Sequence, residues 1–438
     1  MPNTILFTHG YAPWMSQMLV LIALATGFTG NIGAQTDWFK GNLHTHSLWS
    51  DGDEYPEMIA EWYRTNGYHF LAISDHNILQ DVHKWVTLTN APGTNAFLKY
   101  LTRFGPDWIE QRMEQERFQV RLQPLWKYRG LFEEPGRFLM IQSEEITDEF
   151  KKAPIHLNAT NLRDLIRPQK GTSVVDVIQR NVDAVLAQRV ITGLPMFPHI
   201  NHPNFGWALT AEDIVWIRGE NFFEIYNGHP AVRNLGDAKH VSVERMWDII
   251  LTQRLTRNPA NIIYAVAVDD AHNYHAYDSN KSNPGRGWVM VRAARLDAPS
   301  IIDTMEKGDF YASSGVRLFD VHRDRKRLGL IIEPEPGVTY RTQFIGTRIG
   351  YDPSSMPVIG TNGQPLAVTR MYSSDIGQVF AEVAGAAPSY TLKGNELYVR
   401  AKVISSKPKS NPYAKGEVEV AWSQPLVGAS KRKSHVGF

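Results

Sequence analysis

The sequence contains no cysteine, and this absence removes several classes of site at once. Thiolate metal ligands, cysteine nucleophiles, disulfides and a lipidated N-terminal cysteine are all excluded. An excess of charge is also missing, since 46 Lys and Arg residues face 45 Asp and Glu residues and the formal net charge is +1. Such a balance argues against nucleic acid or an anionic membrane as a general partner. Any metal must therefore be held by carboxylates and by the fifteen histidines.

Charged residues are absent from the first 34 positions, which contain no Lys, Arg, Asp or Glu. Met18 to Ala25 is an apolar run too short to cross a bilayer, because a membrane-spanning helix needs about 20 apolar residues. Small residues follow it up to Ala34, so residues 1–34 are expected to be a signal peptide cleaved near Ala34. No basic residue precedes the apolar run, and the alternative is a disordered N-terminal extension. We therefore expect an exported protein, periplasmic or secreted, without a transmembrane anchor.

The length and composition predict one large domain and one smaller domain. The 438 residues are 43% hydrophobic, which is enough to bury a sizeable core. Residues 35–316 mix helical and strand patterns, whereas residues 317–438 alternate in hydrophobicity and are interrupted by Gly, Pro and Asn. The second pattern predicts a small β-sandwich-like accessory domain, in which no cluster of ligand residues is visible.

The stretch from Gly41 to Asn77 carries the strongest chemical pattern. His44 and His46 lie two apart on a predicted strand, so both rings point to one face and can meet one metal ion. Asp51 follows in a Ser-Asp-Gly turn, and after a helix a short apolar strand ends at His76. Strand, helix and strand form a βα unit of a parallel sheet, and ligands gather at the carboxyl ends of such strands.

Later predicted strands also end in ligand-forming side chains. RFLMIQSEEIT ends in Glu144 and Glu145, and an apolar segment eleven residues on contains a histidine. MFPHINHPN offers two histidines, and IIYAVAVDDAHNY ends in an aspartate and a histidine that are again two apart. The positions of these later residues are His156, His199, His202, Asp270 and His272.

HxH, four residues and Asp-Gly, followed by a βα unit and Ser-Asp-His-Asn, resembles the start of the polymerase and histidinol phosphatase (PHP) family of metal-dependent hydrolases. The family pattern places a Glu before an aliphatic residue and Ser or Thr, which favours Glu145 over Glu144. It also ends in His-Pro and in Asp-x-His, which favours His202 over His199 and fits Asp270 and His272. His199 is then expected to support a ligand or to contact the substrate, and Glu224 is expected to be structural or supporting.

The resemblance implies an α/β protein built on a distorted (β/α)7 barrel, the PHP fold, with a C-terminal β-sandwich-like domain. Residues of about 79–137 would be a helical insertion over the barrel mouth, where insertions shape substrate access. Two to three divalent ions, of Zn, Mn or Fe(II), would be bound. By the same resemblance, His44, His46 and Asp270 hold one metal, Asp51 and His272 hold a second, Glu145 bridges these two, and His76, His156 and His202 hold the third.

The expected reaction is hydrolysis of a small anionic substrate, most simply a phosphate ester. Three divalent ions bring about +6 and the three carboxylates return −3, so the site keeps roughly +3 and favours an anion. A metal-bridging water would lose its proton near neutral pH and act as the nucleophile. Arg286 is expected at the mouth, where its guanidinium would match two phosphate oxygens. The alternative for Arg286 is a pairing with a surface carboxylate.

Two other functions remain open from the sequence. The ending EVEVAWSQPLV resembles exported PHP-like proteins, including the CehA/McbA type, and this raises hydrolysis of a carbamate or a carboxylic ester. An exported metal-binding protein without catalytic activity is the alternative outside the enzymes. The sequence does not choose the substrate, the metal or the oligomeric state.

Overall fold

The computed structural model describes residues 36–89 and 91–428. The expected signal peptide, residues 1–34, and the last ten residues of the predicted C-terminal domain lie outside this part of the chain. The fold of the described part is mixed α/β. Its α-helices are Pro56–Thr65 (α1), Ala91–Phe104 (α2), Leu125–Tyr128 (α3), Val174–Thr192 (α4), Ala211–Val215 (α5), Val243–Arg257 (α6) and Ala298–Glu306 (α7).

The first eleven strands lie between residues 37 and 268 and include those around the candidate ligands. They are Asp37–Asn42 (β1), Phe70–Leu71 (β2), Lys84–Thr87 (β3), Gln111–Glu114 (β4), Arg117–Leu122 (β5), Leu139–Met140 (β6), Ser143–Phe150 (β7), Ala153–Thr160 (β8), Phe197–Ile200 (β9), Phe222–Asn227 (β10) and Tyr264–Val268 (β11).

The remaining strands belong mostly to the C-terminal part of the chain. They are Trp288–Ala293 (β12), Phe310–Ser313 (β13), Leu318–Arg323 (β14), Arg327–Ile332 (β15), Tyr340–Arg348 (β16), Ser355–Met356 (β17), Met371–Tyr372 (β18), Gln378–Ala384 (β19), Ser389–Thr391 (β20), Glu396–Pro408 (β21), Val418–Ser423 (β22) and Leu426–Val427 (β23). Short 3₁₀ helices lie at Arg129–Leu131, Phe205–Trp207 and Pro230–Val232.

Two large sheets organise the described residues. The first has the order β19-β16-β21-β22-β13-β12-β1-β2-β6, with β23 also paired to β21, and the second has the order β11-β10-β9-β8-β7. Neither sheet closes on itself within the described residues, so a continuous (β/α)7 barrel is not seen there. Both edges of the second sheet are joined to the first sheet by isolated parallel bridges. Thr45, after β1, pairs with Ala271, after β11, and His76, after β2, pairs with Glu145 of β7. Both bridges involve segments that carry candidate ligands.

The first sheet also joins strands from both sides of the predicted boundary at residues 316 and 317. β13 pairs antiparallel with β22, and β21 continues the sheet to β16. α6 packs between the sheets, where Met246, Trp247 and Ile250 are buried in the same apolar cluster as Tyr398 and Trp422 of the C-terminal part. The C-terminal strands therefore support the helix that lies behind the second sheet.

The amphipathic pattern of GTSVVDVIQRNVDAVLAQR, residues 171–189, predicts a helix, which the structure has as α4 over Val174–Thr192. The two ends of α4 show why it forms. Ser173 caps the N-terminus by accepting a hydrogen bond from the Asp176 backbone N–H, which would otherwise have no partner inside the helix. Gly193 ends the helix with φ 68°, a left-handed conformation that glycine adopts without steric cost. No helix in the described part of the chain is long and apolar enough to cross a membrane.

The insertion at residues 79–137 differs from the predicted helical flap. DWIEQRMEQERFQVRL forms the β4–β5 hairpin instead of a helix, and Gln115 and Glu116 make its turn with positive φ values of 49° and 62°. The alternation of RFQVRL explains the strand, since Val120 and Leu122 are buried on one face. The helix of this insertion is α2, which begins in the stretch APGTNAF that suggests a loop.

Candidate metal centre

The ends of β1 and β11 are locked together by backbone hydrogen bonds. The His46 N–H donates to the Ala271 carbonyl over 2.9 Å, and the Asp270 N–H donates to the His44 carbonyl over 2.9 Å. Asp270 has φ 49°, in the left-handed region that Asp tolerates better than most residues. This turn brings the Asp-x-His and His-x-His pairs onto one point.

Ring nitrogens and carboxylate oxygens converge at this point. His44 Nε2 lies 3.1 Å from His46 Nε2, and both nitrogens lie 3.2 Å from Asp270 Oδ1. All three side chains are at least 94% buried. Two ring nitrogens that face each other compete for one hydrogen, and a carboxylate beside them completes a donor set that suits a metal cation.

Glu145 lies at the centre of the cluster and offers its two oxygens to different histidines. Oε2 lies 3.4 Å from His44 Nε2, 3.3 Å from His46 Nε2 and 3.0 Å from His76 Nδ1. Oε1 lies 2.9 Å from His156 Nδ1 and 3.3 Å from His202 Nε2. A carboxylate in this position has the geometry needed to bridge two ions.

The charge state of Glu145 follows from these neighbours. Burial alone would raise its pKa, but His76, His44 and His156 hold the pKa well below its ordinary range. Glu144 points away from the cluster and accepts the Ile166 N–H over 2.7 Å. Burial raises the pKa of Glu144 to about 8, so the two adjacent glutamates carry different charges at neutral pH.

Asp51 marks the open side of the cluster, because 55% of its side chain is exposed. Its carboxylate lies 3.5 Å from His46 Nδ1, 3.5 Å from His76 Nε2 and 3.4 Å from His272 Nε2. Burial would raise the pKa of Asp51, but hydrogen bonds with His272 and His76 hold it far below its ordinary value. The cluster is therefore exposed on this side, where the rings of His76 and His272 are also partly exposed.

The structure brings all nine predicted ligand residues into overlapping groups whose candidate ligand atoms lie within 4.8 Å of one another. One grouping differs from the family pattern, since His202 groups with His44 and Asp270, not with His76 and His156. The groups that contain the predicted ligands are His46, Asp51, His76 and His272; His44, His202 and Asp270; His44, His46 and Glu145; and His76, Glu145 and His156.

Glu224 supports the cluster through hydrogen bonds with His44 and His202. Its Oε1 accepts from His44 Nδ1 over 2.7 Å, and its Oε2 accepts the His202 N–H over 2.7 Å and Asn227 Nδ2 over 2.9 Å. Burial would raise the pKa of Glu224, but His44 and the hydrogen bond from His199 lower it to about 2. A carboxylate on the outer nitrogen of a ligand histidine fixes the ring and its tautomer.

His199 lies beside Glu224 and is fully buried. Its Nε2 is 3.3 Å from Glu224 Oε1, and burial lowers the pKa of its ring. Of the two predicted roles for His199, the structure favours support of a ligand through Glu224, because the side chain has no exposed surface for a substrate contact.

The expected substrate contact of Arg286 is wrong. The side chain is fully buried, and its guanidinium donates to the carbonyls of Gly228 over 2.8 Å, Lys281 over 2.5 Å and Asp278 over 2.9 Å. A further bond of 3.2 Å reaches Asn411 Oδ1 in the C-terminal part. Because these oxygens accept hydrogen bonds from its guanidinium, Arg286 connects loops to one another and does not face the mouth of the cluster.

Several supporting residues carry no signal of their own in the sequence. Asn201 donates to Glu145 Oε1 over 2.8 Å, and Asn227 donates to Asp270 Oδ2 over 3.0 Å. Asp75 accepts from the Ser47 N–H over 2.8 Å and from Ser50 Oγ over 2.6 Å, which shapes the loop that carries Asp51. Their adjacency to ligand residues, as in Asn201-His202 and Asp75-His76, is the one hint that the sequence contains.

Comparison with known proteins gives only distant likenesses. No protein-family model and no curated protein matches the chain. A two-domain protein from Bacteroides vulgatus, containing a predicted PHP-like metal-dependent phosphoesterase, is 14% identical over 89% of this chain and 96% of its own, with a TM-score of 0.38. A candidate metal-dependent phosphoesterase from Bifidobacterium adolescentis is 13% identical over 53% of this chain and 87% of its own, with a TM-score of 0.26. Neither likeness is strong enough to transfer an activity, which must be argued from the side chains.

Proposed function

We propose that this chain is a metal-dependent hydrolase of phosphate esters and that its substrate is a small anion. The observation that carries the proposal is the central carboxylate of Glu145, whose two oxygens lie between different sets of histidines. Such an arrangement of imidazoles and carboxylates suits two or three ions of Zn, Mn or Fe(II). Bound divalent ions lower the pKa of a coordinated water and stabilise the charge that develops on the attacked group.

The residues present fit this role by their chemistry. His44, His46 and Asp270 present three donor atoms at about one point, and Asp51, His76 and His272 present three more on the open side. Asp51, Glu145 and Asp270 bring negative charge to these groups, and the carboxylate of Glu224 adds a fourth negative charge at His44 Nδ1. Three divalent ions would outweigh these four carboxylates, so the fully loaded site keeps a positive charge, which favours an anionic ester over a neutral one.

We further propose that the chain belongs to the PHP family and has its barrel architecture. Seven strand segments, β1, β2 and β7 to β11, surround the cluster, and two isolated bridges, at Thr45 and His76, link the segments after β1 and β2 to the two edges of the second sheet. This arrangement supports a distorted (β/α)7 barrel of the PHP type, open between the bridged strands. The ligand order along the chain supports the same family.

The test uses two adjacent glutamates as a matched pair. Glu145→Gln removes the shared negative charge, and we expect kcat/KM on p-nitrophenyl phosphate to fall about 100-fold or more, with loss of bound metal. Glu144→Gln replaces a carboxyl group that is neutral at pH 7 and lies on the other face, so activity should stay within about threefold of the wild type.

Metal content is measured by elemental analysis after loading with Mn, Zn or Fe(II), and p-nitrophenyl acetate serves as the neutral ester. Equal losses in the two variants would mean that Glu145 is not the central ligand. A wild-type protein that cleaves the acetate far faster than the phosphate would overturn the phosphoesterase assignment.

A further inference from the structure

A histidine outside the nine candidate ligands lies beside the mouth of the cluster. His229 follows β10, is partly exposed, and its ring meets that of His272 at a centroid distance of 5.4 Å and an interplanar angle of 73°. His272 itself contacts Asp51 on the open side. None of the candidate metal groups in the described residues includes His229, so its ring borders the cluster without completing it.

The position of His229 is fixed from two sides. Its backbone N–H donates to Asn227 Oδ1 over 2.8 Å, while Asn227 Nδ2 donates to Asp270 Oδ2 over 3.0 Å. Its ring Nδ1 accepts the Ala231 N–H over 3.1 Å and caps the 3₁₀ helix Pro230–Val232. The ring is therefore tied to Asp270 through one asparagine and held in one orientation.

The hydrogen bond from Ala231 also fixes the tautomer of the His229 ring. A nitrogen that accepts a backbone N–H has its lone pair free and cannot carry a hydrogen itself. The only N–H of the His229 ring is consequently at Nε2, and no described residue accepts a hydrogen bond from it. The side chain thus presents one fixed, unused donor beside the open side of the cluster.

We propose that the Nε2–H of His229 binds a phosphoryl oxygen of the substrate. This inference rests on the proposed function and names a residue that recognises the substrate anion. A phosphate monoester has three non-bridging oxygens, and a fixed donor aligned with one of them orients the ester for attack. Arg286 cannot supply that donor, because its guanidinium is bound to backbone carbonyls and the side chain itself is buried.

Two substitutions separate the donor from the helix cap. His229→Asn keeps an acceptor for the Ala231 N–H but removes the donor at Nε2, whereas His229→Gln keeps an amide N–H near the Nε2 position and gives up the cap. His240→Asn is the matched control from the same loop, since the ring of His240 stacks on Trp207 and bonds Asp237.

The probes are inorganic phosphate, whose binding to the metal-loaded chain is followed by calorimetry, and p-nitrophenyl phosphate. For His229→Asn we expect Kd for phosphate to rise about tenfold and kcat/KM to fall by at least about tenfold, with metal content and Tm unchanged. His229→Gln should lie within about threefold of the wild type in both quantities, and His240→Asn should match the wild type.

An unchanged Kd for phosphate in His229→Asn would overturn the proposal, and so would a wild-type protein that binds no phosphate. Equal losses in His229→Asn and His229→Gln would assign the residue a structural role instead. If the wild type binds phosphate but hydrolyses no phosphate ester, the proposed function fails, while the Kd values of the variants still decide the role of His229.

Discussion

At the scale of single residues, the buried carboxylate of Glu224 is expected to set how tightly the cluster holds a metal. Glu224→Gln removes the charge opposite His44 Nδ1 and leaves an amide N–H facing donors from His202 or Asn227. We expect metal affinity to fall about 10- to 100-fold, measured by competition with a chelator.

Glu149→Gln is the control for Glu224→Gln, because Glu149 is exposed near the end of β7. Its metal affinity should equal that of the wild type. Tm, measured for both variants, separates a loss of affinity from a loss of fold. Unchanged affinity in Glu224→Gln would show that the outer nitrogen of His44 does not need a charged partner.

The residues that could be predicted from the sequence are those whose spacing alone fixes their direction. His44 and His46 lie two apart at the end of a strand, so both rings face one way whatever surrounds them. Asp270 and His272 have the same spacing, but Asp270 reaches its place through a left-handed turn with φ 49°. Arg286 shows the limit, because a Gly-Arg-Gly stretch contains nothing about the backbone carbonyls that come from residues 228, 278 and 411. Tertiary packing supplies such partners, and spacing along the chain does not.

At the scale of elements, the insertion at residues 79–137 is hydrogen-bonded to a buried glutamate of α1. Glu57 in the first turn of α1 is fully buried and accepts from Tyr100 Oη of α2 over 2.6 Å and from Trp108 Nε1 over 3.1 Å. Burial raises the pKa of Glu57 to about 7 from 4.5. The folded state therefore holds this proton more tightly than the unfolded state.

The free energy of unfolding should fall as the pH rises, because buried Glu57 then loses its proton. The stabilisation from protonated Glu57 is complete below pH 4.5 and disappears as the pH rises through 7. Across this range the free energy of unfolding falls by about 3 kcal/mol, and above it Glu57 causes no further change. Glu57→Gln keeps both acceptor bonds without the titration, so it should gain stability over the wild type at pH 8 more than at pH 5. Urea unfolding at the two pH values measures this difference.

Glu61→Gln is the control for Glu57→Gln, because Glu61 pairs with Arg103 at the surface of the same α1–α2 contact. It should cost less than about 1 kcal/mol. An identical pH dependence in Glu57→Gln and the wild type would mean that Glu57 stays ionised in the folded protein.

The elements of this insertion also show what local patterns miss. Residues 107–122 contain many residues with good helix propensity, yet they form a hairpin because Val120 and Leu122 need one buried face and Gln115 and Glu116 can make the turn. Propensity is a weak prior that tertiary burial overrides. The longer amphipathic pattern of α4, with a serine cap and a glycine end, was predictable because local and tertiary preferences agree.

At the scale of the whole molecule, Arg286 connects three separate parts of the chain. Its guanidinium binds the carbonyl of Gly228 next to Asn227, the loop of Asp278 and Lys281, and Asn411 in the C-terminal part. Asn227 in turn contacts Asp270 at the cluster. The C-terminal part thus braces the loop that carries a ligand partner, although no candidate metal group lies among its described residues.

Arg286→Lys is therefore expected to weaken the fold and not the recognition of phosphate. A lysine has a single ammonium that cannot reach all these oxygens, so buried carbonyls lose their donors and the free energy of unfolding should fall by about 3 kcal/mol. In urea below the unfolding transition, kcat/KM should drop by a similar factor on p-nitrophenyl phosphate and on p-nitrophenyl acetate. Arg295→Lys, at an exposed pair with Asp297, should leave both stability and kinetics unchanged. An Arg286→Lys protein of normal stability whose KM rises for the phosphate alone would place the guanidinium at the substrate after all.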